Sequence, residues 1–258
     1  MWRCWKLLTL FWSVFSSPGW KEKSDLEWSG DTVAVFQYPK SKHRRTLAPR
    51  QFKRYGSYKR YLQAEFSRVC VYCRQPDSSA PNINFGVDHY RPKGVRKFAA
   101  LLCVYDNLYY CCGSCNSRKN NYWPTDEENG PFVVNPCEHE MAKHLVFNAR
   151  TSEVEPKSPH GSRTEKLLQL NEPATVNYRR HTLKIIESLT RDIEEQEQFV
   201  RDLLKSLAAG KIGRATCDRE VAEVQSEIDE LRDCMMRLAG TLPLPPLRKQ
   251  RQGVVLLP

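Results

Sequence analysis

The C-terminal part of the chain carries the clearest hydrophobic periodicity. Apolar residues recur at spacings of three and four in two stretches, Ile186 to Leu207 and Val221 to Leu238. This period is typical of amphipathic helices. Gly210 and Gly213 lie between the stretches and mark a turn. The pattern predicts an antiparallel helical hairpin, which packs against the rest of the chain or presents an interface to another protein.

The N-terminal half carries a shorter helical pattern. Four apolar or aromatic residues approximate one face of a helix: Phe52, Tyr55, Leu62 and Phe66. Gly56 lies within this segment and lowers its helix propensity. The segment from Phe132 to Pro173 is punctuated by proline and glycine, so short strands and turns are expected there.

Charge is distributed unevenly along the 258 residues. Residues 1–125 hold a net charge of about +13 and residues 126–258 about −3, which together give the chain its formal +10. From Tyr38 to Ala64, a segment we name the basic arm, there are nine Lys or Arg and no acidic residue. Aromatic residues are interleaved with them. This composition predicts contact with the phosphates of a nucleic acid and base stacking by an aromatic residue, with a solvated helix face as the alternative.

The first twenty residues have the outline of a signal peptide. Arg3 and Lys6 precede a short apolar run, Leu7 to Phe15. The run is far shorter than the roughly 20 residues of a membrane-spanning helix. We therefore expect a cytoplasmic protein without membrane association, in which this run is an apolar N-terminal helix or an upstream extension of the true start.

Four of the ten cysteines form two C-x-x-C pairs, Cys70 with Cys73 and Cys112 with Cys115. Each pair can place two thiolates on one tight turn, and two facing turns give a closed, structural Zn²⁺ site. Cys111 competes with Cys112, yet only Cys112 has the two-residue spacing to Cys115. The pairs are separated by 38 residues, more than in a simple zinc ribbon. The insertion is therefore expected to fold as a unit of its own.

That insertion carries residues suited to hydrolysis. Asp88 and His89 are adjacent, so they point to opposite faces of a strand, although both can reach one site at a strand end. Mg²⁺ prefers oxygen ligands, which Asp88 and Asn116 can supply. An imidazole titrates near neutrality, so His89 can accept a proton from an attacking water. A hydrogen-bonded turn is the alternative for Asp88 and His89 taken alone.

The order of these motifs resembles that of the HNH endonucleases, which have a ββα-metal fold. VDHYRPK, DNLYYCC and SCNSRK occur in sequence with the paired cysteines, and the match covers about Cys70 to Trp123. The resemblance implies that Asp88 and Asn116 bind the catalytic Mg²⁺ or Mn²⁺, and that His89 is the general base. It also implies that Asn107 braces the loop and orients the base.

Basic residues near these motifs are expected to hold the substrate. The resemblance implies that a basic residue shortly after the last metal ligand contacts the scissile phosphate, and Arg118 and Lys119 both qualify. Asn120 and Asn121 are weaker alternatives to Asn116, because they break the nine-residue spacing from the middle asparagine. Six further residues are expected to contact nucleic acid: Arg44, Arg45, Lys53, Arg54, Arg91 and Lys93.

These observations predict an α+β protein with four regions. They are an N-terminal extension with the basic arm (1–66), an HNH nuclease domain with a ββα-metal core on the C-x-x-C zinc knuckle (67–125), a mainly helical C-terminal region ending in the hairpin (126–240), and a mobile tail (241–258). The predicted function is metal-dependent hydrolysis of DNA phosphodiester bonds, and the resemblance implies 5′-phosphate and 3′-hydroxyl products. The alternatives are an RNA-cleaving, toxin-like HNH nuclease and a zinc-stabilised nucleic-acid-binding module without catalysis.

Short motifs extend the resemblance into the C-terminal half. They are VNPCEHE at 134–140, HLVFN at 144–148, and LQLN at 168–171 followed by YRR at 178–180. These motifs resemble the HNH proteins found beside ATPases in retron and Septu anti-phage systems. The resemblance implies an effector nuclease of bacterial defence, with an ATPase partner that docks on the C-terminal helices and controls cleavage.

Overall fold

The structure, a computed structural model, describes residues 35–79, 84–244, 247 and 255–256. These residues belong to one unit, Val35–Pro258, which includes the predicted regions 67–125 and 126–240. The apolar run Leu7–Phe15 lies outside the described residues, as does most of the predicted tail 241–258.

The described strands are short and pair antiparallel, two by two. The pairs are β1 (Leu47–Ala48) with β6 (Val255–Leu256), β2 (Phe85–His89) with β3 (Leu108–Cys112), and β4 (Leu145–Asn148) with β5 (Glu153–Pro156). The described α-helices are α1 (Lys59–Glu65), α2 (Gly113–Lys119), α3 (Pro159–Leu168), α4 (Pro173–Ala208) and α5 (Arg214–Ala239). Small sheets with a helical C-terminal region confirm the predicted α+β class.

β2, β3 and α2 form the framework of the candidate site. In the β2–β3 register, Asp88 lies opposite Tyr109. β3 is buried at all five positions and leads directly into α2, which begins at Gly113. α2 packs over β2 near Gly86, where an added Cβ would lie 4.0 Å from Asn116 Nδ2. One end of β2 and one face of α2 are thereby brought together.

The predicted helical segment of the basic arm is present in part. A 3₁₀ helix spans Tyr55–Tyr58 and continues into α1. Tyr58, Tyr61 and Leu62 are buried, and α1 contacts β3. Phe52 precedes both helices, but its ring packs edge-on against Tyr58 at 4.9 Å between centroids. Leu62 and Phe66 of the predicted face are therefore in the core, whereas Phe52 and Tyr55 are half-buried. The basic residues of the segment lie on the outside.

The predicted helical hairpin is confirmed by α4 and α5. Arg232 of α5 donates to Glu197 of α4 at 2.7 Å, and the Cys217 sulfur lies 3.9 Å from the Leu203 carbonyl oxygen. Later residues of one helix meet earlier residues of the other, so the helices are antiparallel. Gly210, in the connecting turn, has a positive φ of 66°, which glycine adopts without a steric penalty. None of the described helices has the length and apolar character needed to cross a bilayer.

The segment from Phe132 to Pro173 differs from its prediction in one element. β4 and β5 are the expected short strands, but α3 was not predicted. Pro159 and Gly161 belong to the proline and glycine punctuation from which turns are expected, but they lie in the first turn of α3. Ser158 caps this helix, because its side chain accepts a hydrogen bond from Gly161 N.

Candidate metal centre and adjoining cavity

The four predicted cysteines form one buried cluster. Cys70 and Cys73 lie on the turn after α1, Cys112 ends β3, and Cys115 lies in the first turn of α2. Their sulfur atoms all lie within 4.8 Å of one another. Cys111, the competitor for the third position, is buried but lies outside the cluster. The predicted choice of Cys112 is therefore confirmed.

The spacing of the sulfurs fits a tetrahedral metal. Zn–S bonds of about 2.3 Å place two sulfurs of a tetrahedron about 3.8 Å apart. The Sγ atoms of Cys73 and Cys112 are 3.7 Å apart, whereas a disulfide needs about 2.05 Å. All four side chains are buried, so the cluster could hold a closed structural metal such as Zn²⁺.

Asp88 and His89 occupy the last two positions of β2. Side chains of neighbouring strand residues point to opposite faces, but at this strand end both residues line one cavity of about 220 Å³. Asn116 of α2 lines the same cavity. The structure therefore brings together the two predicted ligands of the divalent metal and the predicted base. Asn120 and Asn121, the weaker alternatives to Asn116, also line it.

The Asp88 carboxylate is buried, with 3% of its surface exposed, and it has two partners. Lys119 Nζ lies 3.1 Å from Oδ1, and the Tyr72 hydroxyl donates to Oδ2 at 2.5 Å. A carboxylate has about four lone-pair sites, so two remain for a further ligand. This donor capacity fits a divalent cation shared with the Asn116 amide oxygen.

The His89 imidazole is held in one tautomer. Its Nε2 lies 3.0 Å from the Leu102 carbonyl oxygen, and a carbonyl can only accept a hydrogen bond. Nε2 therefore carries the proton, and Nδ1 is the basic nitrogen of the neutral ring. Burial lowers the pKa of His89, although the bond to Leu102 opposes this shift. A lowered pKa favours the neutral ring, which is the form that a general base needs.

Asn107 holds the chain that follows β2. Its Oδ1 accepts a hydrogen bond from Arg91 N at 2.8 Å, and its Nδ2 donates to the Arg91 carbonyl at 3.1 Å. Asn107 O also accepts from Tyr90 N at 2.9 Å. These bonds fix the two residues directly after His89, which agrees with the expected bracing role.

Neither Arg118 nor Lys119 lines the cavity. The Arg118 guanidinium donates to the Leu168 carbonyl at the end of α3 and pairs with Glu172. The Lys119 ammonium is 1% exposed and donates to Asp88 and to the His89 carbonyl at 2.8 Å. The predicted contact with a scissile phosphate therefore lacks support for both, because each cation is already paired with other groups of the protein.

The six predicted nucleic-acid residues differ in their surroundings. The Arg45 guanidinium lies 4.8 to 4.9 Å from the centroids of three aromatic rings and donates to the Leu108 carbonyl at 2.7 Å. Arg45 is therefore a packing residue, contrary to its predicted role. Arg91 is half-buried beside Glu138, at 3.3 Å. The other four side chains are exposed: Arg44, Lys53, Arg54 and Lys93.

Tyr72 and Tyr55 contact predicted site residues but were not themselves predicted as site residues. Tyr72 lies inside the first cysteine pair and bonds Asp88. Tyr55 lines the cavity, where its ring packs edge-on against His89 at 4.7 Å and its hydroxyl accepts from Lys93 Nζ at 3.2 Å. The interleaving of aromatic and basic residues in the basic arm was the available signal for Tyr55.

Comparison of the chain with protein-family models, with curated proteins and with solved structures found no match.

Proposed function

We propose that the chain is a metal-dependent HNH endonuclease with a ββα-metal core, and that it hydrolyses DNA phosphodiester bonds. One observation carries the proposal: Asp88, His89 and Asn116 line a single cavity beside the four-cysteine cluster. A carboxylate and an amide oxygen can hold a hard divalent cation, and an imidazole can act as the general base of a metal-dependent hydrolysis.

Asp88 and Asn116 are the proposed ligands of Mg²⁺ or Mn²⁺. Both offer oxygen donors to the same cavity, and hard divalent cations prefer oxygen. A cation bound there would supply Lewis-acid stabilisation of the charge that develops on the scissile phosphate.

His89 is the proposed general base. Its Nδ1 accepts a proton from the attacking water, while Leu102 keeps the ring oriented through Nε2. Asn107 holds the following residues in place. Lys93 takes the phosphate-contacting role first expected of Arg118 or Lys119, because Lys93 is exposed and lines the cavity.

The remaining features fit a nucleic-acid substrate. The four-cysteine cluster is the proposed structural Zn²⁺ site, closed to substrate because its cysteines are buried. Exposed basic residues of the arm lie in the segment that brings Tyr55 to the cavity. One nucleic-acid strand can therefore place one phosphate at the cavity and neighbouring phosphates at the arm. The wider role, a bacterial anti-phage effector whose α4–α5 hairpin docks an ATPase partner, is proposed from the C-terminal motifs alone.

The chemistry is tested by incubating the purified protein with supercoiled plasmid, single-stranded DNA and total tRNA, in Mg²⁺ and in EDTA. His89→Ala is the test variant, and His181→Ala, at an exposed position of α4, is its matched control. We expect Mg²⁺-dependent cleavage of plasmid by the wild type and by His181→Ala. His89→Ala should lose at least 100-fold in rate, in line with the roughly 10²- to 10⁴-fold contribution of a general base.

The assay separates the alternatives. Cleavage of tRNA without cleavage of plasmid would replace the DNA substrate by RNA. No cleavage of any substrate would favour a nuclease that is silent until its partner binds, or the non-catalytic binding module. Bound zinc should be unchanged in His89→Ala, whereas Cys70→Ser should lose zinc and fold together.

A further inference from the structure

Tyr72 links the cysteine cluster to the carboxylate of the neighbouring cavity. It lies in the first C-x-x-C pair, between Val71 and Cys73. Its side chain is fully buried, and its hydroxyl lies 2.5 Å from Asp88 Oδ2. A residue between two cluster cysteines thus directly contacts the carboxylate that we propose as a metal ligand.

The backbone around Tyr72 is held in place by several hydrogen bonds. Val71 N donates to the Tyr110 carbonyl of β3 at 3.1 Å, and the Tyr38 hydroxyl donates to the Tyr72 carbonyl at 2.9 Å. Cys70 N donates to the Gln75 carbonyl at 2.9 Å, which closes the turn. The position of the Tyr72 ring is therefore set by the cysteine turn and by β3.

The direction of the Tyr72–Asp88 hydrogen bond is fixed as well. An ionised carboxylate offers only acceptor oxygens, whereas a phenol carries a proton to donate. The Tyr72 hydroxyl is therefore the donor, and Asp88 Oδ2 is the acceptor. Lys119 of α2 donates to the other carboxylate oxygen, Oδ1. The two oxygens of Asp88 are therefore held by two different parts of the chain, α2 and the cysteine turn.

We propose that Tyr72 is a positioning residue, which orients the Asp88 carboxylate for the divalent metal and makes that orientation depend on the cysteine turn. The inference deepens the proposed function and rests on it. Hydrogen bonds to a metal-ligating carboxylate fix its orientation, and their loss typically costs 10- to 100-fold in metal affinity.

The test measures metal binding directly and does not depend on cleavage. Mn²⁺ is titrated calorimetrically into the zinc-loaded full chain, for the wild type, Asp88→Asn, Tyr72→Phe and Tyr110→Phe. Tyr110→Phe is the matched control, because Tyr110 is also buried and also donates to a carboxylate, Asp77 Oδ2 at 2.7 Å, outside the cavity. Zinc content and the thermal unfolding midpoint are measured for each protein.

Tyr72→Phe is expected to keep its zinc and to raise the Kd for Mn²⁺ about tenfold or more. Tyr110→Phe is expected to bind Mn²⁺ with a Kd within about twofold of the wild type. This should hold even if Tyr110→Phe lowers the unfolding midpoint as much as Tyr72→Phe does. Wild-type affinity in Tyr72→Phe would overturn the inference and leave the proposed metal site standing. A wild type that binds no Mn²⁺ at this site, with Asp88→Asn indistinguishable from it, would overturn both.

A double variant tests whether Tyr72→Phe weakens Mn²⁺ binding through Asp88 or through a general effect on folding. Tyr72 acts through Asp88, so adding Tyr72→Phe to Asp88→Asn should weaken Mn²⁺ binding no further. An additional tenfold loss in the double variant would show that Tyr72 acts by another route, and would overturn the inference.

Discussion

Glu65, at the end of α1, is a buried carboxylate that anchors the preceding segment. Its side chain has no exposed surface. Oε1 accepts from Thr46 N at 2.7 Å and lies 2.9 Å from His43 Nε2, and Oε2 accepts from Leu47 N and the Tyr105 hydroxyl, each at 3.1 Å. These hydrogen bonds join residues 43–47 of the basic arm to α1 and to Tyr105, which precedes β3.

The anchor predicts a specific pH dependence of stability. Burial alone would raise the pKa of Glu65, but hydrogen bonds from His43, Thr46 and Leu47 outweigh it and lower the pKa from 4.5 to about 2. A carboxyl whose pKa falls on folding stabilises the protein above pH 4.5, and this stabilisation is lost as the pH falls from 4.5 to about 2. Glu65→Gln should therefore cost about 3 kcal/mol in the free energy of unfolding at pH 7, and progressively less toward pH 2.

Urea unfolding of wild type and Glu65→Gln between pH 7 and pH 2 measures this difference. Glu223→Gln, at an exposed position of α5, is the control and should stay close to the wild type throughout. A difference between Glu65→Gln and the wild type that does not change with pH would contradict the ionic origin of the anchor.

At the scale of elements, a helix was predicted correctly where its own residues carried a clear hydrophobic period, and missed where they did not. The α4–α5 hairpin was predicted because its period of three and four persists over many turns. α3 was missed because Pro159 and Gly161 also occur in turns. Glycine is needed at position 161 because of a tertiary contact: a Cβ there would lie 2.0 Å from the His144 carbonyl oxygen.

The same distinction applies to the candidate site. Each C-x-x-C pair and the Asp88–His89 pair are local signals, the order of the motifs adds Asn116, and the structure brings these residues together. The roles of Tyr72 and Lys119 were not predictable, because each depends on how a neighbouring element packs against β2. The sequence places Lys119 on α2, but only the packing of that helix turns its ammonium toward Asp88.

Two apolar residues of the hairpin should differ in how much they contribute to the free energy of unfolding. Ile228 of α5 is 1% exposed between the helices, whereas Phe199 of α4 is 48% exposed. Ile228→Ala should lower the free energy of unfolding by about 2–4 kcal/mol, because it removes buried methyl groups and leaves a cavity. Phe199→Ala should cost less than about 1 kcal/mol. Urea unfolding followed by circular dichroism compares the two, and equal losses would contradict the observed packing of α4 on α5.

At the scale of the whole molecule, residues 1–125 of the sequence are basic and residues 126–258 are mildly acidic. The exposed basic side chains of the arm include Lys53 and Arg54, next to the 3₁₀ helix that carries Tyr55 to the cavity. The middle of α4 is acidic, with Glu187, Glu194 and Glu195 exposed. A polyanion is therefore attracted to the arm and the cavity and repelled by the hairpin.

This asymmetry predicts how DNA affinity changes with salt. Each phosphate contact releases counterions from DNA, so log K falls linearly with log salt concentration, with a slope of about −0.9 per contact. Lys53→Ala with Arg54→Ala should reduce the magnitude of the slope by about 2. Arg201→Ala with Lys205→Ala removes the same charge from exposed positions of α4 and should leave the slope unchanged. Fluorescence anisotropy of a labelled duplex in the His89→Ala background measures binding without cleavage, and equal slopes in both double variants would place the DNA contacts elsewhere on the molecule.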